Sequence, residues 1–367
     1  MSYLTIMSQN VIWTMSYNNS QRDIQIDLIR VVACLSVVLL HVTATFWYST
    51  PVRYLELSEY YVQQSNYLSG NGVCPYASLG WYICSFIDTL TRFSVPSFVM
   101  VSGALVLNKT EIPTSYLKRK IIHVSKIILC WGLIIGWFTI SSSFVFSNSI
   151  PISQVLRIMV NGNGVFWFLY MLLPLYLVSP ILKLILDNQQ ACKLFVLLWF
   201  VLSIILPFAE SAIPALCHNV NLEYMSLFSA YTGYFLIGGY LYRHDDIKIP
   251  ALLGGLVISI LLMTVGRPAG LWHNFTTPFC VIMSVSFFLK LKEVKVHEKR
   301  GKLITIIAKQ SMGIYGLHIF FLKTIKTIWP PYLDYWYIQI LVYYIVVVVL
   351  SFALSKLIKL IPVFKDI

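Results

Sequence analysis

The chain alternates between long apolar runs and short polar stretches, and this pattern predicts membrane-spanning helices. A run of about 20 apolar residues is long enough to cross a hydrocarbon core of about 30 Å. Such runs recur along the whole chain, and the residue-by-residue alternation typical of outer-membrane barrels is absent. The pattern predicts ten spans, at about residues 26–48, 80–108, 119–146, 163–185, 191–207, 224–242, 250–266, 271–290, 302–324 and 334–360.

The composition leads to the same fold class. Of the 367 residues, 58% are hydrophobic and 11% are charged, whereas soluble domains carry about 25% charged residues. We therefore predict an all-α protein, a polytopic membrane helix bundle of about ten transmembrane helices. The predicted domains are an N-terminal extension over residues 1–25, one membrane domain over residues 26–360 and a tail over residues 361–367.

The distribution of charge predicts the orientation of the bundle. The net charge is +12, from 27 Lys and Arg against 15 Asp and Glu. The loops at 109–120 and 290–302 are rich in lysine and arginine, whereas the 208–223 loop has none of either. Because basic loops stay in the cytoplasm, we predict that both basic loops and both termini are cytoplasmic. The positive charge is explained by this rule, so we expect no nucleic-acid partner.

The seven cysteines form no metal-binding or redox motif. They include no CxxC pair, and the chain has no HExxH, P-loop or GxSxG motif, so we expect no metal. Cys74 and Cys217 both fall in loops predicted to lie outside the cytoplasm. A disulfide between them and two free thiols are both open, because the sequence does not fix their distance.

Two ionisable residues stand inside the first apolar run. Arg30 and His41 are eleven residues apart, which is about three helical turns, so they share one helix face roughly 16 Å apart. Asp27 lies on the same face, three residues before Arg30. An ionisable residue within the membrane costs a few kcal/mol and is a functional candidate. The alternatives are an arginine that extends to the headgroups and a histidine that bonds between helices.

Further ionisable residues occur in later apolar runs. In SFIDTLTRFSVPSFVMVSG, Asp88 and Arg92 are four residues apart and can form an ion pair, either structural or functional. A proline and a Ser-Gly pair follow, which favours a broken helix that lines a cavity. In SMGIYGLHIFF, Tyr315 and His318 share one face, and Trp167 opens the fourth predicted span.

These segments resemble the membrane acyltransferase-3 family. The spacing of Arg30 and His41 matches the R-x10-H signature of that family. The segments RFSVPSFVMVSG, VFWFLYMLLPLYLVSP and SMGIYGLHIFF resemble its later blocks in the same order, so the resemblance covers about residues 24–360. Within the family, the chain is most similar to the O-acetyltransferases of surface polysaccharides, such as the enterobacterial common antigen. It differs in its N-terminal extension and its longer 49–79 loop, which leaves the acceptor open.

The resemblance implies an O-acetyltransferase of the bacterial inner membrane. It implies acetyl-CoA from the cytoplasm as co-substrate and a hydroxyl of a surface polysaccharide, or of its lipid-linked precursor, as acceptor. Enterobacterial common antigen, O-antigen and capsule are all candidate acceptors. The resemblance also implies that His41 is the catalytic residue and that Arg30 serves the donor.

The chemistry of the remaining groups suggests supporting roles. His41 can act as general base or carry the acetyl group covalently. Asp27 can hold Arg30, and Arg92 can stabilise an oxyanion or bind a donor phosphate. We expect contacts to substrate, or support of the residues that make them, from Asp88, Trp167, Tyr315 and His318.

Two other functions fit the same pattern. Kinked helices and buried ion pairs also suit a secondary transporter or flippase of an envelope precursor, although no internal repeat is visible. The third alternative is a non-catalytic partner in envelope assembly. Consumption of the thioester separates the enzyme from both.

Overall fold

The computed structural model describes residues 23–46, 78–145, 151–212, 229–244, 250–266 and 274–361. Helices dominate these ranges, and no strand occurs in them. The α-helices are α1 (Ile24–Thr43), α2 (Leu79–Thr91), α3 (Ser94–Leu107), α4 (Thr114–Val145), α5 (Ile152–Asn161), α6 (Trp167–Asp187), α7 (Gln189–Trp199), α8 (Leu206–Ala212), α9 (Ala230–Arg243), α10 (Pro250–Gly266), α11 (Pro278–Glu293), α12 (Glu298–Ile328) and α13 (Trp336–Ile358). Cys74 and Cys217, most of the predicted N-terminal extension and nearly all of the predicted tail lie outside the described ranges.

Seven helices are long and apolar enough to cross a membrane. They are α1, the α2–α3 pair, α4, α6, the α7–α8 pair (joined by a π-helical turn at Phe200–Ile205), α12 and α13. The sixth, seventh and eighth predicted spans coincide with shorter helices, α9, α10 and α11, of 14, 17 and 16 residues. The prediction of an all-α membrane protein is thus confirmed, whereas a total of ten spans remains a prediction.

Helix α1 lies in the centre of the bundle. It contacts α2, α3, α11, α12 and α13, and Ile29, Ala33 and Val42 on its different faces are fully buried. Apolar residues on more than one face of a helix are expected where the helix is buried among others. Its start is fixed by Asp23, whose carboxylate accepts hydrogen bonds from the backbone of the first turn and from the hydroxyl of Tyr242.

Helices α1 and α12 run parallel and in register. The thiol of Cys34 donates to the carbonyl of Ser311, 277 residues further along the chain, at 3.4 Å. The same offset relates His41 to His318, whose rings are in contact. It also relates Ile24 to Gly301, since a Cβ on Gly301 would meet the Ile24 side chain at 3.6 Å. One register therefore holds from the first turn of α1 to its last.

The second predicted span consists of two helices. Helix α2 ends at Thr91 and α3 begins at Ser94, so the break falls at Arg92 and Phe93. Pro96 lies in the first turn of α3, where its missing N–H has no intrahelical partner to lose. The Phe93 ring stacks on Phe287 of α11 at a centroid distance of 4.0 Å. The predicted break in this span is therefore observed, and it leaves the Arg92 side chain in the interior of the bundle.

Glycines set the close contact between α3 and α9. A Cβ on Gly103 would overlap the backbone carbonyl of Phe235, and a Cβ on Gly238 would overlap that of Met100. Small residues at a helix crossing in a membrane let the backbones approach closely, and dispersion forces then hold them. The two glycines therefore permit a contact that no larger residue fits.

We predict that Gly103→Ala and Gly238→Ala each destabilise the fold by about 1–3 kcal/mol, because the added methyl group forces the helix backbones apart. Thermal unfolding of the purified protein measures the effect. Gly301→Ala is the control, since its Cβ would find ordinary contacts at 3.6 Å or more. Equal melting temperatures for all three variants would contradict this packing.

Candidate active site

Two histidines lie side by side, one in the last turn of α1 and the other within α12. The rings of His41 in α1 and His318 in α12 have centroids 5.1 Å apart and planes inclined at 39°. His318 is fully buried, and its Nδ1 lies 2.6 Å from the carbonyl oxygen of Tyr315. Because a carbonyl oxygen only accepts, Nδ1 carries the hydrogen and Nε2 is left as an acceptor. Nε2 has no hydrogen-bond partner among the described residues.

The predicted ion pair forms at the break between α2 and α3. Arg92 donates from Nε to the Asp88 carboxylate at 2.9 Å, and its Nη2 lies 2.8 Å from the same oxygen. The Asp88 side chain is 1% exposed and that of Arg92 is 15% exposed. Both charges lie within electrostatic range of His41. The α2–α3 break thus places a buried ion pair near one of the two histidines, His41.

Tyr315 connects the histidines to the start of α6. Its hydroxyl donates to the carbonyl of Val165 at 2.5 Å, and its ring centroid is 5.7 Å from that of His318. The chain reaches Val165 through a tight turn in which Gly162 and Gly164 have φ of +58° and +88°. Glycine adopts this left-handed conformation without strain. The turn therefore fixes the carbonyl that orients Tyr315.

A cavity of about 480 Å³ lies on the other side of Tyr315. Its walls come from α1, α3, α4, α6 and α12, and from the residue that follows α13. At the end nearest Tyr315 the lining is aromatic, with Phe98 and Phe168. The four cationic side chains that line the cavity are Arg30, Lys120, Lys309 and Lys359. No Asp or Glu is found among the described residues that line it.

The cations are held by local contacts. Arg30 Nη1 lies 3.5 Å from the buried Asp27 carboxylate, and the Arg30 side chain is 25% exposed. Lys359 donates to the backbone carbonyl of Lys309 at 2.6 Å. Lys120 Nζ lies 6.0 Å from the ring centroid of Tyr176, a cation–π distance. An excess of fixed positive charge makes this end of the cavity suited to a polyanion.

The predicted residues fall into three places in the structure. The first is the histidine centre, which contains His41, His318, Tyr315, Asp88 and Arg92. The second is the cationic cavity, in which Arg30 is supported by Asp27. Trp167 belongs to neither group, although its ring packs edge-on against Phe168 of the cavity wall at a centroid distance of 6.4 Å. It begins α6 and packs on Phe275 and Tyr231 at centroid distances of 6.1 and 5.8 Å.

The three lysines of the cavity were not among the site residues predicted from the sequence. Lys120 belongs to a basic loop, and there it was used only to predict orientation. Lys309 and Lys359 interrupt apolar runs near predicted cytoplasmic ends. The rule that selected Arg30 also applies to these two lysines, and it would have found them. Within the described ranges, no group of three or more His, Cys, Asp or Glu residues is placed to bind a metal ion.

Most of the chain matches one known protein family. The model of one family, described as an acyltransferase domain, matches residues 23–358. This range begins at the cap of α1 and ends with α13, so it includes every helix that builds the histidine centre and the cavity. No curated protein and no solved structure matches the chain.

We predict that Asp88→Asn destabilises the protein by about 3–5 kcal/mol, because it leaves the Arg92 cation buried beside a neutral amide. The double variant Asp88→Asn/Arg92→Gln removes both charges and should recover much of the folded yield. Gel filtration and thermal unfolding measure this recovery.

Glu293→Gln is the control for the ion pair, since its partnership with Lys290 is about half exposed and contributes little. If the Asp88–Arg92 pair is only structural, the double variant also recovers activity per folded molecule. If Arg92 serves the reaction, the yield returns and the activity does not. A stable, active Asp88→Asn variant would contradict both interpretations.

Proposed function

Because the chain belongs to this acyltransferase family, we propose that it transfers an acetyl group from cytoplasmic acetyl-CoA to a hydroxyl of a cell-surface glycan. The proposal includes its place in the bacterial inner membrane, with both termini in the cytoplasm. The observation that carries it is a cavity with four cations at one end and the histidine centre beyond the other. The cavity suits binding of the donor, and the histidine centre suits transfer of the acetyl group.

The cavity suits coenzyme A in charge and in size. The donor carries its phosphates at one end and its thioester at the end of a long flexible arm. Arginine and lysine are the usual partners of phosphate, and ligand cavities of about 300–1,000 Å³ are typical. Arg30 and His41 stand roughly 16 Å apart along α1, so phosphates at Arg30 would leave the arm directed past Tyr315 towards His41.

The histidine centre suits acyl transfer. In this proposal His41 takes the proton of the glycan hydroxyl while the hydroxyl oxygen attacks the thioester carbonyl carbon. Arg92, held by Asp88, stabilises the negative charge that develops on the carbonyl oxygen. The C–S bond then breaks, and the leaving thiolate takes the proton from the His41 imidazolium. The free Nε2 of His318 can accept a hydrogen bond from His41 or from the incoming hydroxyl.

Two alternatives are separated by experiment. A covalent acetyl-histidine would release coenzyme A before any glycan is added, whereas direct transfer would not. A transporter or flippase is favoured by one observation, the buried ion pair at the broken α2–α3 helix, which is a common arrangement in transporters. Only an acyltransferase consumes acetyl-CoA.

We predict that Arg30→Lys raises the Michaelis constant for acetyl-CoA about tenfold, because lysine lacks the two-pronged geometry with which arginine binds phosphate. The Michaelis constant for the glycan should be unchanged. The matched control is Arg300→Lys, an exposed arginine in the first turn of α12. An unchanged constant for acetyl-CoA would remove Arg30 from the donor site.

We predict that His41→Ala lowers acetyl transfer about 10²- to 10⁴-fold, the usual contribution of a positioned general base. The protein should fold, since alanine is well tolerated in a membrane helix, and acetyl-CoA should still bind at Arg30. Thioester consumption and the mass of the envelope glycans, with and without the gene, measure the loss.

The control for His41→Ala is His297→Ala, an exposed histidine before α12. Two results would overturn the mechanism. One is normal acetylation per folded molecule of His41→Ala. The other is envelope glycans of the same mass whether or not the gene is present, which would return the transporter to first place.

A further inference from the structure

Two helices of the bundle are too short to reach both membrane surfaces. Lys290 of α11 is half exposed and pairs with Glu293, so this end of α11 lies among polar groups on the predicted cytoplasmic side. Measured from Lys290, Phe275 lies roughly 20 Å into a hydrocarbon core of about 30 Å. Measured from Arg243, Tyr231 at the start of α9 lies roughly 18 Å deep. Both helices therefore begin well below the opposite surface.

The backbone that precedes α11 indicates water at this depth. Residues 274–277 are turns and bends, and Asn274 is exposed. Irregular backbone at membrane depth is tolerated only where protein buries it or where it lines a water-filled cavity. Asn274 is exposed, so its backbone is not buried by protein. Contact with lipid is also unfavourable, because a polar group in hydrocarbon costs free energy. Asn274 therefore borders water, and we call the described surface formed by Trp167, Tyr231, Asn274 and Phe275 the outer recess.

Three aromatic rings meet at the outer recess. Trp167 and Phe275 are stacked with their planes 27° apart, and Tyr231 packs on Trp167 at a centroid distance of 5.8 Å. All three residues are partly exposed, and Trp167 is 37% exposed. Partly exposed aromatic surface within the fold is costly unless a ligand covers it. Asn274, which is exposed, directly precedes Phe275 in the chain.

The aromatic rings are joined to the histidine centre by one side chain. The Arg92 guanidinium lies over the Phe275 ring, 5.3 Å from its centroid. The same guanidinium is paired with Asp88, within electrostatic range of His41. A molecule seated on Phe275 and Trp167 therefore lies one residue away from the reacting groups. The Trp167 ring also packs edge-on against Phe168, which lines the end of the cavity nearest Tyr315.

We propose that Trp167, Tyr231 and Phe275 form a stacking subsite for one sugar ring of the acceptor, which places a neighbouring hydroxyl at His41. The inference rests on the proposed glycan acceptor and adds where and how that acceptor is held. A pyranose ring has an apolar C–H face and a rim of hydroxyl groups. Its apolar face packs on an aromatic ring, while its rim bonds to water and to polar groups such as Asn274 and Arg92.

The alternative role for these rings is anchoring at the membrane surface, which tryptophan and tyrosine commonly provide. The two roles are separated by kinetics with purified protein in lipid nanodiscs. The probes are radiolabelled acetyl-CoA and the polysaccharide fraction extracted from a deletion strain that lacks this gene, in which the acceptor hydroxyl is free. Label in polysaccharide and loss of thioester are measured while each substrate is varied in turn.

Four variants are compared with the wild type. Trp167→Ala should raise the Michaelis constant for the polysaccharide about 3- to 10-fold and leave that for acetyl-CoA unchanged. Trp167→Phe keeps a ring and should stay close to the wild type. Tyr231→Leu should resemble Trp167→Ala. Tyr231→Leu supplies the test if Trp167→Ala does not fold. Trp137→Ala is the control, a 69% exposed tryptophan on α4 that should affect neither constant.

The stacking subsite and the proposed function are overturned by different results. A wild-type constant for the polysaccharide in both Trp167→Ala and Tyr231→Leu overturns the stacking subsite. A loss of folded protein that is equal in Trp167→Ala and Trp137→Ala, with unchanged kinetics in what remains, assigns Trp167 to membrane anchoring and also overturns it. No transfer of label by the wild type overturns the proposed function instead.

Discussion

The candidate site depends on the parallel packing of α1 against α12. A single offset of 277 residues relates Cys34 to Ser311 and His41 to His318. A slip of one helical turn would place Ile314 or Leu322 opposite His41 and separate the two imidazoles. The same helix carries Arg30 into the cationic cavity, so one packing register fixes both ends of the site. The contacts of α1 with five helices hold that register in place.

Relations within one helix could be predicted from the sequence, because helical geometry fixes them. The shared face of Arg30 and His41 and the pairing of Asp88 with Arg92 follow from spacings of eleven and four residues. The contact of His41 with His318 joins residues 277 apart in the chain, and it depends on which helices pack together. The cationic cavity likewise collects its four cations from four different parts of the chain. No local pattern encodes such an assembly.

The hydropathy pattern predicted the positions of the helices more accurately than their lengths. The long spans match helices or helix pairs of 20 residues or more, whereas α9, α10 and α11 have only 14, 17 and 16 residues. The amphipathic α5 was not predicted, since ten residues with an arginine in their midst form no apolar run. The break at Arg92 followed from a proline and small residues. Its consequence, a buried cation facing the histidines, required the structure.

The unequal helix lengths also affect the surrounding lipid. On α10 the exposed side chains Val257, Ile258 and Leu261 belong to a helix of 17 residues, about 25 Å long. Elsewhere α4 has 32 residues, with Leu129 and Trp137 exposed. Lipid must match a shorter apolar height beside α10 than beside α4, so the bilayer thins locally or the whole protein tilts. The acyl-chain length of the host membrane therefore affects how much the bilayer thins or the bundle tilts at its lipid-facing perimeter.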